Sequence, residues 1–254
     1  MIIRRTEPED AGKLMLLWQS VFDDPTEDMF PFFRTVFPVC DGYCAEEDGA
    51  VTGMVFAVPC EIAAGKRRFV CRYLYALGVA EDRRGQGIGK ALLSAVKDDC
   101  LRNGADALLV LPSEESLFDY YAAEGYAVWA WANGCSLAAG EQAAVQEVDT
   151  EAYLSARKAY LEPSGAAYVI PSAAVASLSR CFVWDGGCCA ADRTDGEWFV
   201  QELCGSAAGV PTAAMRLGVR RLSIIRSNGG YPYAMAMALN KDFPKDGLWS
   251  FGME

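Results

Sequence analysis

Between Leu77 and Leu93 the chain reads LGVAEDRRGQGIGKALL, and three alternate glycines, Gly85, Gly87 and Gly89, stand where an apolar strand has ended and a helix begins. Glycine lacks Cβ, so the backbone at such a turn can bend sharply and let a ligand come close. The first amides of a helix have no intrahelical acceptor, and they point outward as an anion site reinforced by the helix dipole. Arg84 and Lys90 add two cations suited to charge-assisted contacts with a pyrophosphate or a ribose phosphate. Spacing separates the known phosphate-binding turns. A P-loop needs G-x-x-x-x-G-K-[ST]; here Arg84 stands where the first glycine belongs, and Ala91 follows Lys90. A dinucleotide fold needs G-x-G-x-x-G directly after a βαβ strand. This spacing is G-x-G-x-G after a loop, and the strand before it belongs to a hairpin meander. Both alternatives fail.

The flanks place this turn in a fold. Thr6-Glu7-Pro8-Glu9 reads as a capping box, followed by Leu14, Leu17, Trp18, Val21 and Phe22 at helical spacing. After a turn at Asp23, Asp24 and Pro25, a second helical run holds Met29, Phe30, Phe33, Val36 and Phe37. From Gly42 three strands follow, with Gly49 and Gly65 at the hairpin turns. Then come the glycine turn, a helix ending at Gly104, a strand ALLVL, a helix SLFDYYAAEG and two short strands in YAVWAWANGCSLAA. This order predicts an α+β fold with a mixed, mostly antiparallel sheet flanked by helices.

Composition narrows the chemistry. Of 254 residues, 52% are hydrophobic and 22% charged, enough for a packed core. The net charge of −11 repels nucleic acid and anionic membrane surfaces and favours cationic small molecules or peptides. There is no histidine, which removes imidazole bases, Ser-His and Cys-His systems and His-containing metal sites. Ten scattered cysteines read as buried free thiols of a reducing cytoplasm rather than as a disulfide framework, and without a paired CxxC they make no zinc site. Apolar stretches are broken before the roughly 18 residues that a membrane span needs.

Arg84-Gly85-Gln86-Gly87-Ile88-Gly89 fits the pattern [RQ]-x-x-G-x-[GA], and with the element order on both sides it resembles the acetyl-CoA pyrophosphate loop of the GCN5-related N-acetyltransferase (GNAT) superfamily. The resemblance covers about residues 1–140 and has a second anchor, Tyr120 to Tyr126, similar to the family's F-Y-x-x-x-G-F signature. It implies an N-acetyltransferase with a GNAT-type sheet, using acetyl-CoA as cosubstrate and no metal. On the matching positions, Leu77, Gly78 and Val79 would hydrogen-bond the pantetheine arm and acetyl carbonyl. The amides of Arg84, Gly85, Gln86, Gly87, Ile88, Gly89 and Lys90 would wrap the pyrophosphate. Tyr121 falls on the tyrosine that protonates the departing thiolate; a phenol of pKa about 10 is still protonated at neutral pH. Tyr120 and Tyr126 read as core aromatics. The family's frequent Asn seven residues before the tyrosine is replaced by Glu114, which sets that coenzyme contact aside.

The acceptor implied is the primary amine of a small cationic molecule or a peptide. An acidic turn of Asp23, Asp24, Glu27 and Asp28 beside Phe30, Phe32 and Phe33 would suit a cation, and would equally make a solvated loop. No carboxylate occurs from Val70 to Val79. Glu61, which could instead pair with Arg68, and the terminal carboxylate at Glu254, by analogy with tandem acetyltransferases, are open as bases. A boundary falls where periodicity weakens near 140–149, giving an acetyl-CoA-binding domain over 1–140 and a second domain over 141–254. The latter repeats the first in outline, with WFVQELCG and SAAGVPTAAMRL echoing the glycine-turn region, and reads as a degenerate GNAT-like domain. Its turn at 205–211 lacks the arginine and gains Pro211, so it is expected to bind no coenzyme and to wall the acceptor cleft or stabilise the first half. A non-catalytic acyl-CoA sensor is the alternative function, and a homo-oligomer is open.

Overall fold

The computed structural model describes residues 1–194 and 196–249. In chain order the elements of the first stretch are β1 (Ile2–Arg5), α1 (Ala11–Phe22), α2 (Thr26–Thr35), β2 (Asp41–Glu47), β3 (Ala50–Ala64), β4 (Arg67–Val79), α3 (Ile88–Arg102), β5 (Ala107–Val110) and α4 (Glu115–Ala123). They are followed by β6 (Ala127–Ala138), β7 (Val145–Val148), α5 (Thr150–Leu161), β8 (Tyr168–Pro171) and the short α6 (Ala173–Ala176). The chain closes with β9 (Arg180–Trp184), β10 (Gly187–Thr194), β11 (Glu197–Gly205), α7 (Val210–Leu217) and β12 (Arg221–Ala238). The contacts divide into two compact units. Unit 1 holds Met1–Glu61, Phe69–Ala127 and Met235–Phe243; unit 2 holds Ile62–Arg68, Val128–Ala234 and the chain from Pro244 on.

In unit 1 the strands β1, β2 and β3 pair antiparallel in turn, β4 lies beside β3, and β5 runs parallel to β4. A parallel neighbour needs a crossover, which α3 supplies. The end of β12 returns antiparallel to β5, with Met235 opposite Val110 and Ala238 opposite Ala107. Asn240 then fastens it: its Nδ2 donates to Asp106 Oδ1 at 2.6 Å. One core joins Leu74, Leu92, Val96, Leu108, Tyr121, Tyr126 and Met235. A second set of contacts is aromatic, with Trp18 5.2 Å from Phe32, and Phe32 4.9 Å from Phe56 and 5.2 Å from Tyr75, between ring centroids.

Several local expectations are corrected. The cap before α1 closes one residue later: the Glu7 N–H donates to Asp10 Oδ2 at 2.8 Å, and Arg4 grips the same carboxylate at 2.7 and 2.9 Å. In α2 it is Phe32, not Phe30, that joins Met29 and Phe33 inside; Phe30 is 52% exposed. The segment read as two short strands after α4 is one long strand, β6. β1 is an additional strand ahead of α1.

In unit 2, β7, β9, β10 and β11 pair antiparallel in that order, and β12 runs parallel to β11 after α7. The order of strands and crossover helix follows that of unit 1. Its core contains Phe182, Trp184, Val200, Val210, Leu222 and Ile224. Arg157 and Glu202 form an ion pair at 2.7 Å with side chains only 3% and 2% exposed, and Tyr153 donates to the same carboxylate at 2.8 Å. All ten cysteines are free thiols, and Cys135 is exposed. Among the described residues no helix is long and apolar enough to cross a membrane.

Candidate active site

The last residues registered between β4 and β5 are Leu74 and Val110, while β4 runs on to Val79. Leu77, Gly78 and Val79 therefore lie beyond the parallel pairing, where β5 has already ended. Ala76, at the start of this stretch, has φ +50°, a left-handed conformation that costs a side-chain-bearing residue about 1–2 kcal/mol. Gly78 leaves little room for a side chain. A Cβ there would lie 3.2 Å from Val21 and 3.3 Å from Phe22, so the end of α1 rests on this part of the strand. The next two residues, Asp23 and Asp24, begin the acidic turn. Asp23 closes α1 in the left-handed region, and Asp24 accepts from Trp18 Nε1 at 2.6 Å.

The glycine turn is open. Gly85 and Gly87 have φ +75° and +80°, and a Cβ at either would meet nothing within 4 Å. These two glycines are required by conformation rather than by crowding. Gly87 is the N-cap of α3, with no side chain capping it, and the first backbone bond into the helix is Ala91 N–H to the Gly87 carbonyl at 3.0 Å. No carbonyl of the described chain accepts from the amides of Ile88, Gly89 and Lys90. The polar side chains of the turn are folded back. Arg84 Nε donates to the Val79 carbonyl at 3.3 Å, Gln86 Nε2 to the Asp82 carbonyl at 3.3 Å, and Lys90 Nζ pairs with Glu124 at 3.1 Å. The α3-start amides are thus without a backbone acceptor among the described residues, while both cations make exposed contacts with the chain.

Tyr121 lies in α4 and is 5% exposed, its ring 5.3 Å from Tyr120 and 5.5 Å from Tyr126. Burial, with Tyr120 adding, pushes its phenol pKa well above the ordinary value, so the proton is retained at neutral pH. Tyr126 is a core residue at 4% exposure. Glu114 is the N-cap of α4 and accepts from Ser116 Oγ at 2.5 Å. Of the base candidates, Glu61 is exposed on β3. Glu254 lies outside the described residues.

The family model of the acetyltransferase (GNAT) domain matches residues 2–129, half of the chain. The chain belongs to the GNAT family. It is accordingly an acyltransferase. Solved GNAT structures share its fold. A GCN5-related N-acetyltransferase from Kribbella flavida matches with a TM-score of 0.67 at 14% identity, over 94% of this chain and 71% of that one. One from Anabaena variabilis matches with a TM-score of 0.64 at 13% identity, over 92% and 72%. A tandem GNAT protein from the clavulanic acid biosynthesis pathway matches with a TM-score of 0.59 at 13% identity, over 95% and 99%. No curated protein matches the sequence.

Within this GNAT chain, the strand-to-helix turn of unit 2 is built differently from that of unit 1. A Cβ at Gly209 would fall 2.1 Å from the Trp184 ring, and Trp184 Nε1 donates to the Ser206 carbonyl at 3.1 Å. Pro211 occupies the first turn of α7 and carries no N–H. The protein's own side chain fills the space that stands open beside Gly85 and Gly87. Sequence reasoning missed Ala76, since nothing marks an alanine for positive φ. It also missed the hydroxyl of Tyr120, which lies 2.9 Å from where a Gly89 Cβ would be.

Proposed function

We propose that this protein transfers an acetyl group from acetyl-CoA to a primary amine of a small cationic molecule or a peptide, by direct attack of the amine. The observation that carries the reading is the open turn at Gly85 and Gly87, after a strand that runs on past the end of its parallel neighbour. The residues fit the coenzyme: an uncrowded cradle, three unsatisfied amides at a helix start, and a field that favours an oxyanion. The thioester supplies the activated acetyl group. In this account the amides from Arg84 to Lys90 hold the pyrophosphate, and the backbone of Leu77, Gly78 and Val79 orients the pantetheine arm. Tyr121, kept protonated by burial, gives its proton to the departing sulfur. The end of α1 rests on Gly78, and the Asp23–Asp24 turn that follows it supports a reading in which carboxylates draw a cationic acceptor.

Residues 141–254 are read as a degenerate GNAT-like domain behind a coenzyme-binding domain over 1–140. The repeated strand order supports the likeness, and the Trp184-filled turn supports the absence of coenzyme binding. The ten free thiols suit a reducing cytoplasm. The test is release of free thiol from acetyl-CoA in the presence of a panel of amines, including polyamines, aminoglycosides, amino-acid derivatives and peptide N-termini. Amine-dependent release supports the transferase; coenzyme binding without release for any amine would make the protein an acyl-CoA sensor.

A further inference from the structure

We propose that the Tyr120 hydroxyl is a binding group for the coenzyme pyrophosphate, acting beside the amides of Ile88, Gly89 and Lys90. The inference rests on the acetyl-CoA reading of the turn and adds a side chain to it. Its starting point is the third glycine. Gly85 and Gly87 are glycine because their φ is positive, and a Cβ there would meet nothing. Gly89 lies inside α3, where any residue could stand, yet its Cβ would come within 2.9 Å of Tyr120 Oη. A Cβ at Gly89 would press on the phenol oxygen at the end of the Tyr120 side chain, which would have to shift.

The hydroxyl sits at the start of α3 on a partly buried side chain and makes no hydrogen bond to another described residue. No amide of the α3 start donates to it, and no carbonyl or carboxylate among the described residues takes its proton. The ring itself is fixed: it packs on the edge of the unit 1 core and stands edge-on to Tyr121 at 5.3 Å. A phenylalanine would fill that core position as well. Here an O–H and three N–H groups are gathered at one helix end without an acceptor, while the two nearby cations are turned to Val79 and Glu124. The phenol oxygen can also accept, but none of the amides at the α3 start donates to it. An acceptor-only oxyanion satisfies all four, and a pyrophosphate carries several such oxygens. Burial, with the nearby Glu124 charge, raises the Tyr120 pKa, so the group is present as the donor.

The test compares Tyr120→Phe with the parent protein on two acyl donors, acetyl-CoA and S-acetylpantetheine, which has the thioester arm without a pyrophosphate. The expected results are a Kd for acetyl-CoA raised about 10-fold, as for loss of one hydrogen bond to a charged group, and an unchanged kcat/KM for S-acetylpantetheine. The melting temperature should stay within about 2 °C, which separates lost binding from lost packing. An unchanged Kd for acetyl-CoA overturns the proposal, as do equal losses on both donors. If the parent protein itself binds no acetyl-CoA, the reading of the glycine turn fails first and this inference falls with it.

Discussion

Replacing Gly87 by valine separates what the turn contributes to folding from what it contributes to binding. Gly87 has φ +80°, where a side chain costs about 1–2 kcal/mol and β-branching adds to that. Nothing of the protein lies within 4 Å of the new Cβ, so no clash adds to the conformational cost. A penalty of roughly 2 kcal/mol lowers the melting temperature of a chain this size by roughly 4–8 °C. Binding suffers more. Three amides at the start of α3 are without acceptors, and a hydrogen bond from such a group to a charged oxygen contributes about 1.5–3 kcal/mol. If valine holds the pyrophosphate away from two of them, the loss is about 3–6 kcal/mol, a Kd weaker by roughly 10²–10⁴-fold. Gly49→Val is the control: Gly49 has φ +81°, is equally open, and stands at the β2–β3 turn. Calorimetry and thermal melting on both variants form the assay. Both should melt lower by similar amounts, and only Gly87→Val should lose acetyl-CoA. Similar binding by the two variants would refute the assignment of the turn.

Three further outcomes are expected. Tyr121→Phe should leave acetyl-CoA affinity within about 2-fold and lower kcat roughly 10²–10⁴-fold; because burial raises the Tyr121 pKa, alkaline loss of activity through this group should begin only above pH ~10. A normal kcat in that variant would remove Tyr121 from the chemistry. Arg4 draws the pKa of Asp10 down to about 2, below its unfolded value near 3.8, so the stability it contributes is complete above pH ~4 and lost as pH falls toward 2. Acid unfolding of Asp10→Asn should lack that component, worth of the order of 2 kcal/mol, when followed by circular dichroism. The Tyr126 hydroxyl is buried without a partner, so Tyr126→Phe should leave denaturant stability unchanged or raise it by about 1 kcal/mol, and a marked loss would reveal a partner.

The glycine turn was legible because its signals are local. Glycines at 85 and 87 answer to positive φ, and strand and helix periodicities on either side mark where it stands. The order of helices and strands in the first 126 residues followed for the same reason, apart from the four-residue β1, too short to show a period. What escaped was set by distant partners. Phe30 and Phe32 are both consistent with an amphipathic run, and only contact with Phe56 and Tyr75 puts Phe32 inside. Residues 235–243 belong with β5 and Asp106, more than 120 residues away, a pairing no window of sequence can display. The filled turn of unit 2 depends on Trp184, which arrives from β9 across the sheet. The sequence registered only the missing arginine and Pro211.

The most direct test of the account is the stoichiometry of acetyl-CoA binding by calorimetry on the intact chain. An open turn after β4 and a Trp184-filled turn after β11 predict one molecule bound per chain, with the site lost in Gly87→Val. Two molecules per chain would contradict the closed second turn, and no binding would contradict the central reading of the glycine turn.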